Sequence, residues 1–413
     1  MSICNDVSTE YIQHVRSYME DKTNSLPDPE LLRILIKHDK QYLIDYCEKI
    51  HNILVCYIEE HRRDEAVLLI QAGVGLEDHV SLLHYAADWG DCPVFELLLD
   101  TELDIDTCDE FGSAPIHIAC KNGHRDIVRL LIRKNCDLNI SDDESLSTPL
   151  HIASEMCHSD IVKILLDSGA EVDMVDMKNR TPLYIASKKG HDDTVRILLD
   201  SGADMEIAKN NLKTPLLISF ENGHDNVVEL LVRAGAKRDT IDGSILNLAA
   251  RNGRTEIAHL LLELGMDASG SDDFGYTPLD HACESGYEDI VILLLEKKAR
   301  HKTDLVNVAV GNDSISMLKI LLESGLDPNI ADMEGRTALH HASRAGYENI
   351  VRLLLQFDVL VDTVDNYGYT PLNLAALKGH ENVMQMLREA GSCTVVEIKY
   401  GTMYPHRICG RGD

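Results

Sequence analysis

The hydrophobic positions of this chain repeat with a fixed period over most of its length. Residues 181–213 open with Thr-Pro-Leu, and the same tripeptide opens again at Thr148 and at Thr214, 33 residues to either side. A constant period of this size indicates a stacked repeat architecture. The sequence therefore predicts one structural unit per repeat instead of a single central core.

Each unit carries the signals of two short helices. Thr181 and Pro182 are typical of an N-cap and a first helical position, since the cap side chain accepts a backbone hydrogen bond and proline has no N–H to leave unpaired. Apolar residues then recur at helical spacing, first after Pro182 and again from Val195 to Leu199. Gly202 follows, where a left-handed residue ends a helix. Helices this short cannot bury their apolar faces alone, so stacking on neighbouring units is expected.

These units resemble the ankyrin repeat. The resemblance rests on many positions in register, such as TPLHIA at residues 148–153 and LLDSGA at residues 165–170. It implies an all-α repeat solenoid, in which helix-turn-helix units with β-hairpin fingers stack in a curved array. It also implies that the fingers and the first helices line a concave face that binds proteins.

The pattern divides the chain into five parts. Residues 1–29 are polar and expected to be flexible, and residues 30–51 hold two apolar helical stretches without the repeat pattern. We expect 30–51 to form an N-terminal cap, since a stack needs an end unit with a polar outer face; the alternative is a separate partner-binding helical element. Residues 52–80 fit a degenerate repeat, residues 81–392 hold ten repeats, and residues 393–413 form a tail. The ten repeats open at Ser81, Ala114, Thr148, Thr181, Thr214, Ser244, Thr277, Asp304, Thr337 and Thr370.

Some units depart from the period, and the departures fall in loops. One extra residue lies within residues 142–147, and the fingers at 237–243 and 300–303 are shortened. Loops tolerate such changes, so the helices are expected to persist. In the tail, a strand is predicted from Thr394 to Tyr400.

Four second helices end without the usual glycine. Asn135 and Asp358 are expected to adopt the left-handed conformation, which short polar side chains tolerate. Glu102 and Lys298 are expected to fit less well, and a softer joint is expected near residues 298–304.

The composition limits which classes of partner and which cell compartment are expected. The formal net charge of −30 argues against nucleic acid and anionic membrane surfaces as partners and favours basic protein partners. Eleven cysteines at scattered spacings without a CxxC pair are expected to be reduced, which indicates the cytoplasm and leaves the nucleus open. No secretory signal is expected at the N-terminus, and apolar runs such as 290–295 are too short for membrane insertion. The oligomeric state stays open.

The candidate chemical groups are interpreted as structural. Histidines recur at the Leu-His and Gly-His positions of the repeat, and this spacing matches stacking, whereas a zinc site needs converging ligands. Asp104, Asp106 and Asp109 suggest a calcium loop, but its last ligand would be Pro115. No phosphate loop or catalytic pairing stands out, so neither a cofactor nor an enzymatic activity is expected.

The candidate binding residues follow from the exposed positions of the repeat. Trp89 is the only tryptophan, and tryptophan dominates many protein interfaces; the alternative is that it packs on the preceding degenerate unit. For Tyr276 and Tyr369, the alternative to partner binding is a structural role in which they stabilise their own fingers. On the first helices, the candidates are Asp88, Trp89, Lys121, Asn122, Glu155, Met156, Lys188, Lys189, Glu221, Asn222, Arg251, Glu284 and Arg344. On the fingers, they are Phe111, Phe274, Tyr276, Tyr367 and Tyr369.

Two further residues are candidates for modification. Asn139 and Asn329 follow Asp137 and Asp327 by two residues, a setting similar to that of the asparagines hydroxylated in ankyrin-repeat proteins by a cytosolic dioxygenase. The alternative is that both simply support the hairpin.

The sequence as a whole favours a non-catalytic scaffold or adaptor. The alternative is the substrate-recognition or regulatory arm of a larger assembly, such as a ubiquitin-ligase receptor or a channel. No C-terminal recruiting box is visible in the short tail, which argues against a self-contained ligase adaptor but not against a fragment. An enzyme is the least favoured class, since no convergent site stands out.

Overall fold

A computed structural model describes residues 9–21, 29–49, 53–76, 79–101, 103–207, 213–237, 239–240, 243–302, 304–392, 394–399 and 402–407. The chain divides into two compact units, Met1–Ala236 and Lys237–Asp413. Both consist mainly of successive helix pairs joined by turns. None of the described helices has the length and apolar character needed to cross a membrane.

The regular elements among the described residues of the first unit are all helices. Its helices are α1 Thr9–Asp21, α2 Pro29–His38, α3 Lys40–Lys49, α4 Ile53–Glu59, α5 Arg63–Ala72, α6 His79–Trp89, α7 Cys92–Leu99, α8 Pro115–Asn122, α9 Arg125–Arg133, α10 Pro149–Glu155, α11 Ser159–Asp167, α12 Pro182–Lys189, α13 Asp192–Asp200, α14 Pro215–Glu221 and α15 Asp225–Ala234.

The second unit adds short strands at its two ends. Its helices are α16 Ile245–Asn252, α17 Thr255–Glu263, α18 Pro278–Ser285, α19 Glu288–Glu296, α20 Leu305–Gly311, α21 Ile315–Glu323, α22 Ala338–Ala345, α23 Glu348–Leu354, α24 Pro371–Lys378 and α25 Glu381–Glu389. Its strands are β1 Asp239–Thr240, β2 Gly243–Ser244, β3 Thr394–Lys399 and β4 Thr402–Arg407. β1 pairs with β2, and β3 pairs with β4, both antiparallel.

Within each unit the helix pairs stack in two layers. In the first unit the first helices of successive pairs, α4 to α14, contact one another in order, and the second helices, α5 to α15, form the other layer. The second unit repeats this arrangement with α16 to α24 and α17 to α25. Two layers around a continuous apolar seam are what a linear stack of amphipathic helix pairs requires.

One leucine per second helix marks this seam. Leu198 occupies the seventh position of α13 and is fully buried. Burying such a side chain stabilises the fold by about 1.5–3 kcal/mol. The same position is filled, with no exposed surface, by Leu98, Leu131, Leu165 and Leu231 in the first unit and by Leu261, Leu294, Leu321, Leu354 and Leu387 in the second.

Several first helices are tied to the next repeat by a histidine of their first turn, and most of the first helices begin after a threonine. His151 Nδ1 accepts a hydrogen bond from the Thr148 N–H at 3.2 Å, which leaves Nε2 to donate to the Arg180 carbonyl, 3.0 Å away in the following turn. Burial lowers the pKa of His151, so the ring is neutral in the form that this geometry needs. His117 and His340 repeat the arrangement with Ile140 and Tyr369.

The Gly-His histidines tie each repeat to the one before it. His224 Nε2 donates to the Lys188 carbonyl at 3.0 Å, and its ring lies against Gly190. A Cβ added to Gly190 would lie 2.5 Å from His224 Nδ1, and Gly190 also has a positive φ of 75°. Only glycine satisfies both conditions. The regular histidine spacing predicted from the sequence therefore corresponds to inter-repeat hydrogen bonds.

The predicted β-hairpin fingers are instead turns in most repeats. In residues 176–180, the Asp176 N–H donates to the Arg180 carbonyl, while the Asp176 carboxylate accepts from the N–H groups of Lys178 and Arg180. The side chain thus takes the donors that a strand ladder would use, which explains the missing ladder. Among the described fingers, only the shortened one at residues 237–243 contains paired strands. The all-helical repeat solenoid was predicted correctly, and its fingers were assigned the wrong secondary structure.

Adjacent finger turns are joined by backbone hydrogen bonds. The Asp143 N–H donates to the Phe111 carbonyl at 3.1 Å, and the Met177 N–H donates to the Ser145 carbonyl at 2.9 Å. The extra residue of the 142–147 segment widens its turn without breaking this pattern, because Leu146 adopts a left-handed φ of 53°. The insertion is accommodated in the turn, as predicted.

The helix ends without glycine differ from one another. Asn135 and Lys298 both adopt the left-handed conformation, with φ of 62° and 55°. The prediction for Asp358 was wrong. There, consecutive turn bonds, including Phe357 N–H to the Leu354 carbonyl, close α23 without a left-handed residue. Glu102 lies outside the described residues.

Regular elements lie near both ends of the described chain. The flexibility of residues 1–29 stays a prediction, and within this range Thr9–Asp21 forms α1, which contacts α2. Val15 and Met19, one turn apart, are buried, and this spacing gives α1 its apolar stripe. At the other end, β3 covers the predicted strand up to Lys399 and contacts α24; Tyr400 lies outside the described residues.

Candidate protein-binding surface

The first unit has an open cleft between its first helices and its finger turns. The cleft has a volume of about 670 Å³ and is formed by α6, α8, α10 and the turns at residues 109–113 and 142–147. Its size lies within the range of about 300–1,000 Å³ that is usual for ligand-binding clefts. We call it the finger cleft.

The floor of the finger cleft is apolar. Tyr85, Ile118 and Ile152 occupy the same position on three successive first helices, each following the Leu-His histidine. Neighbouring first helices stack side by side, so these side chains form one continuous strip. Tyr85 is 37 % exposed, although it is an aromatic residue in an otherwise aliphatic column.

The outer wall is a tight turn that presents Phe111. Asp109 Oδ1 accepts hydrogen bonds from the N–H groups of Phe111 and Ser113 at 2.9 and 2.8 Å, which fixes the backbone of the turn. Phe111 therefore stands out from a rigid support and is 50 % exposed. Glu110 and Glu144 lie beside it on the same wall.

The histidines at the base of the finger cleft are already engaged. His84 Nε2 hydrogen-bonds the Ser113 carbonyl at 2.8 Å, and His117 Nε2 hydrogen-bonds the Ile140 carbonyl at 3.0 Å. Burial lowers the pKa of His117, so its ring is neutral near pH 7. These rings position the wall turns.

The charge of the finger cleft is predominantly negative. Its lining includes the carboxylates of Asp88, Asp109, Glu110 and Glu144 but only one ammonium group, that of Lys121. Asp88 also accepts a hydrogen bond from Asn122 Nδ2 at 2.8 Å. The cleft thus combines an apolar floor with an acidic wall.

The sequence-based candidates divide into four groups, three of them in the first unit. Asp88, Phe111 and Lys121 line the finger cleft. Trp89 does not; it is half-buried and its ring lies 5.3 Å from that of His61, which favours its alternative role of packing on the degenerate unit. The other first-unit candidates lie outside the cleft, at the ends of first helices or directly after them, and they are Asn122, Glu155, Met156, Lys188, Lys189, Glu221 and Asn222.

Several of these outer residues are engaged within the chain. Lys189 Nζ lies 3.3 Å from Glu155 Oε1, and Glu221 pairs with Lys213. Asn222 Nδ2 donates to the Ile218 carbonyl. The remaining candidates belong to the second unit, and they are Arg251, Phe274, Tyr276, Glu284, Arg344, Tyr367 and Tyr369.

The finger aromatics of the second unit differ in exposure. Phe274 and Tyr367 are 79 % and 62 % exposed. Tyr276 is half-buried, and Lys302 Nζ lies 4.2 Å from the centre of its ring. Tyr369 is also half-buried, and its backbone carbonyl is hydrogen-bonded to His340 Nε2. The latter two fit the structural role.

Asn139 and Asn329 both join neighbouring repeats. Asn139 Oδ1 accepts from the Glu171 N–H at 2.9 Å, and Asn329 Oδ1 accepts from the Leu360 N–H at 2.7 Å. Their hydroxylation stays a prediction, and it would require these hydrogen bonds to open. Elsewhere in the described part of the chain, no three His, Cys, Asp or Glu side chains converge in the manner of a metal site.

Sequence comparison decides the family. A family model described as ankyrin repeats (3 copies) matches residues 83–176, 168–242, 234–304 and 306–397. The chain belongs to the ankyrin-repeat family. This assignment agrees with the helix pairs, the Thr-Pro-Leu helix starts and the finger turns described above.

Three relatives place this ankyrin-repeat chain among proteins of different kinds. FPV223 of fowlpox virus (strain NVSL), named as an ankyrin repeat protein, is 36 % identical over 23 % of this chain and 70 % of its own length. The potassium channel KOR2 of Oryza sativa subsp. japonica is 45 % identical over 16 % of this chain and 9 % of its own. The E3 ubiquitin-protein ligase KEG of Arabidopsis thaliana is 30 % identical over 27 % of this chain and 8 % of its own. The match thus spans a small part of the channel and of the ligase.

Proposed function

We propose that this ankyrin-repeat protein is a non-catalytic scaffold or adaptor that binds a protein partner through the face formed by its fingers and first helices. Ankyrin repeats imply protein–protein interaction. The single observation that carries the proposal is the finger cleft, where Tyr85 and Phe111 remain exposed on rigid supports. Rigid aromatic side chains beside a preformed cleft are typical of interface hot spots.

The absence of an enzymatic role is part of the proposal. The histidines nearest to the finger cleft, His84 and His117, are bonded to carbonyl groups of the finger turns. Their geometry supports a structural task, since a general base needs a ring nitrogen directed at a substrate.

The proposed compartment and partner chemistry rest on charge and cysteine chemistry. Burial raises the pKa of the Cys283 thiol to about 12, which keeps it protonated and unreactive. The cysteines whose side chains are described are free thiols, which supports a cytoplasmic protein with reduced cysteines, with the nucleus as a second compartment. The net charge of −30 supports basic protein partners over nucleic acid.

A mutational capture experiment tests the proposal. The full chain and its Tyr85→Ala/Phe111→Ala variant serve as baits in a cell extract, and captured proteins are quantified by mass spectrometry. We expect the variant to lose at least one partner by about tenfold or more, as is usual for aromatic hot spots. The matched control, Ile292→Ala/Ile315→Ala, removes two second-helix side chains that are each 41 % exposed and is expected to retain that partner. Equal capture by all three baits would contradict the proposal.

The second candidate function is the substrate-recognition or regulatory arm of a larger assembly. It is favoured by the similarity to an E3 ubiquitin-protein ligase and to a potassium channel, in each case over less than a tenth of the relative's length. Co-purification of ubiquitin-ligase or channel subunits with the full chain would support this function. Their absence among cleft-dependent partners would favour the free scaffold.

A further inference from the structure

The carboxylates of the finger cleft have few counter-ions within the chain. In the described residues, no ion pair involves Asp88, Asp109, Glu110 or Glu144. Lys121 is the single cationic side chain among the lining residues. The acidic wall is therefore suited to bind a cationic group that comes from outside the chain.

The fold itself shows how a finger aromatic receives a cation. Tyr367 occupies the position in its finger that Phe111 occupies in the first unit, and the Arg336 guanidinium lies 5.6 Å from the centre of its ring. Lys302 lies likewise over Tyr276. A cation within about 6 Å of a ring centre is attracted by the aromatic face. For Phe111, no cation of the described part of the chain lies over the ring.

We propose that the finger cleft binds an extended peptide segment of the partner in which an arginine side chain lies next to an aliphatic one. The guanidinium lies against Phe111 and Tyr85 and pairs with Glu110 and Glu144, because a planar guanidinium both stacks on rings and pairs with carboxylates. The aliphatic neighbour packs on the Ile118 and Ile152 strip. This assignment rests on the proposed protein-binding function and specifies its partner chemistry.

A displayed library of random dodecapeptides, selected on the full-length protein at low salt, tests this proposal without knowledge of the partner. We expect enrichment of sequences in which arginine adjoins leucine, isoleucine or valine. A selected peptide is then synthesised with a fluorescent label, and its affinity is measured by fluorescence anisotropy. Replacement of its arginine by citrulline, which keeps the shape and removes the charge, is expected to weaken binding about tenfold, and replacement by lysine less so.

Variants of the protein locate the site. Glu110→Lys/Glu144→Lys is expected to weaken binding about tenfold and to flatten its salt dependence, because two carboxylates facing the guanidinium are reversed. Phe111→Leu, which keeps an apolar side chain but removes the ring, is expected to weaken binding several-fold. The matched control, Asp167→Lys/Asp200→Lys, makes the same charge change on the last residues of two second helices. It is expected to change the affinity less than twofold.

The outcomes separate this inference from the scaffold proposal. Enriched peptides without arginine, arginine peptides that bind the Glu110→Lys/Glu144→Lys variant as well as the unmodified protein, or no cleft-dependent peptide at all would each overturn the arginine assignment. The scaffold proposal survives those results if the full chain still loses a captured partner on Tyr85→Ala/Phe111→Ala. Circular dichroism of each variant confirms that its helices are intact.

Discussion

Single residues at the repeat junctions decide how well neighbouring repeats fit. Most first helices end at a glycine with positive φ, against which the histidine or tyrosine of the next repeat packs, as at Gly190 and Gly253. Cys157 occupies this position in its own repeat, with a left-handed φ of 61° and an exposed thiol. The left-handed conformation costs a residue with a Cβ about 1–2 kcal/mol.

Cys157→Gly is therefore expected to stabilise the protein by about 1 kcal/mol, because glycine adopts this conformation without strain. Urea unfolding followed by circular dichroism measures the change as a higher midpoint. The opposite substitution, Gly190→Ala, places a Cβ against the His224 ring and is expected to lower the midpoint. A lower midpoint for Cys157→Gly would show that the cysteine side chain makes a compensating contact.

Which individual residues meet at the finger cleft was only partly predictable. Asp88, Phe111 and Lys121 could be named, because exposure follows from the position in the repeat. Tyr85 was missed, although a tyrosine in a column of isoleucines was a visible signal. Glu144 could not have been assigned, because its placement depends on the backbone hydrogen bond between the 142–147 turn and the Phe111 carbonyl.

Among the secondary-structure elements, α20 has the least regular start. Its repeat has Asp304 and Asn307 where others have threonine and histidine, and neither Asp304 Oδ2 nor Asn307 Oδ1 has a hydrogen-bond partner in the structure. In the regular pair, Thr148 Oγ1 and His151 Nδ1 lie 2.8 Å apart. Asp304 Oδ2 and Asn307 Oδ1 are both acceptors, so one carboxylate oxygen of Asp304 is buried at the helix start without a hydrogen-bond partner.

This start gives the second unit a pH-dependent stability. Burial raises the pKa of Asp304 above its ordinary value of 3.8, so the folded state holds the proton more tightly than the unfolded state. The stabilising contribution is complete below pH 3.8 and is lost as the pH rises through the raised pKa. Asp304→Asn, which supplies an uncharged donor, is expected to stabilise the folded state at pH 7 by about 1 kcal/mol. The change is expected to appear as a higher melting temperature.

The gain from Asp304→Asn is expected to shrink as the pH is lowered through the raised pKa of Asp304, because the aspartate then becomes protonated in the folded protein. Melting curves of both proteins at pH 7 and pH 4 measure it. Asp332→Asn is the contrasting variant. Burial opposes ionisation of Asp332, but hydrogen bonds from Arg336 and His341 outweigh it and lower its pKa. Loss of that carboxylate is expected to destabilise. A gain from Asp304→Asn that does not depend on pH would contradict the charge argument.

The helices were predictable from the sequence, whereas the form of the fingers was not. A 3.6-residue period with a threonine cap specifies each helix locally, as for α12. The fingers were expected to pair as strands, but their aspartates bond to the backbone of their own turn, as Asp176 does. The choice between these two hydrogen-bond patterns depends on side-chain geometry that the apolar period does not encode.

The whole molecule carries a net charge of −30. Many of the described pairs are well exposed, such as Lys319 with Glu323, and pairs of this kind contribute about 0–1 kcal/mol each. A large excess of one sign destabilises the compact state by self-repulsion. Electrostatics therefore favours solubility and attraction of basic partners over stability.

Salt is consequently expected to stabilise this protein. The Debye length falls from about 30 Å at 0.01 M to about 8 Å at 0.15 M ionic strength, so repulsion between distant carboxylates is screened while packed contacts are unaffected. We expect the melting temperature to rise by about 1–2 °C over this range, a change on the order of 1 kcal/mol for a chain of this size. In Asp167→Lys/Asp200→Lys, whose net charge is −26 instead of −30, the rise is expected to be smaller. A melting temperature that falls with salt would mean that local ion pairs outweigh the overall repulsion. In that case the excess negative charge would be balanced by cations within the fold. Its electrostatic attraction for a basic partner would then be weak.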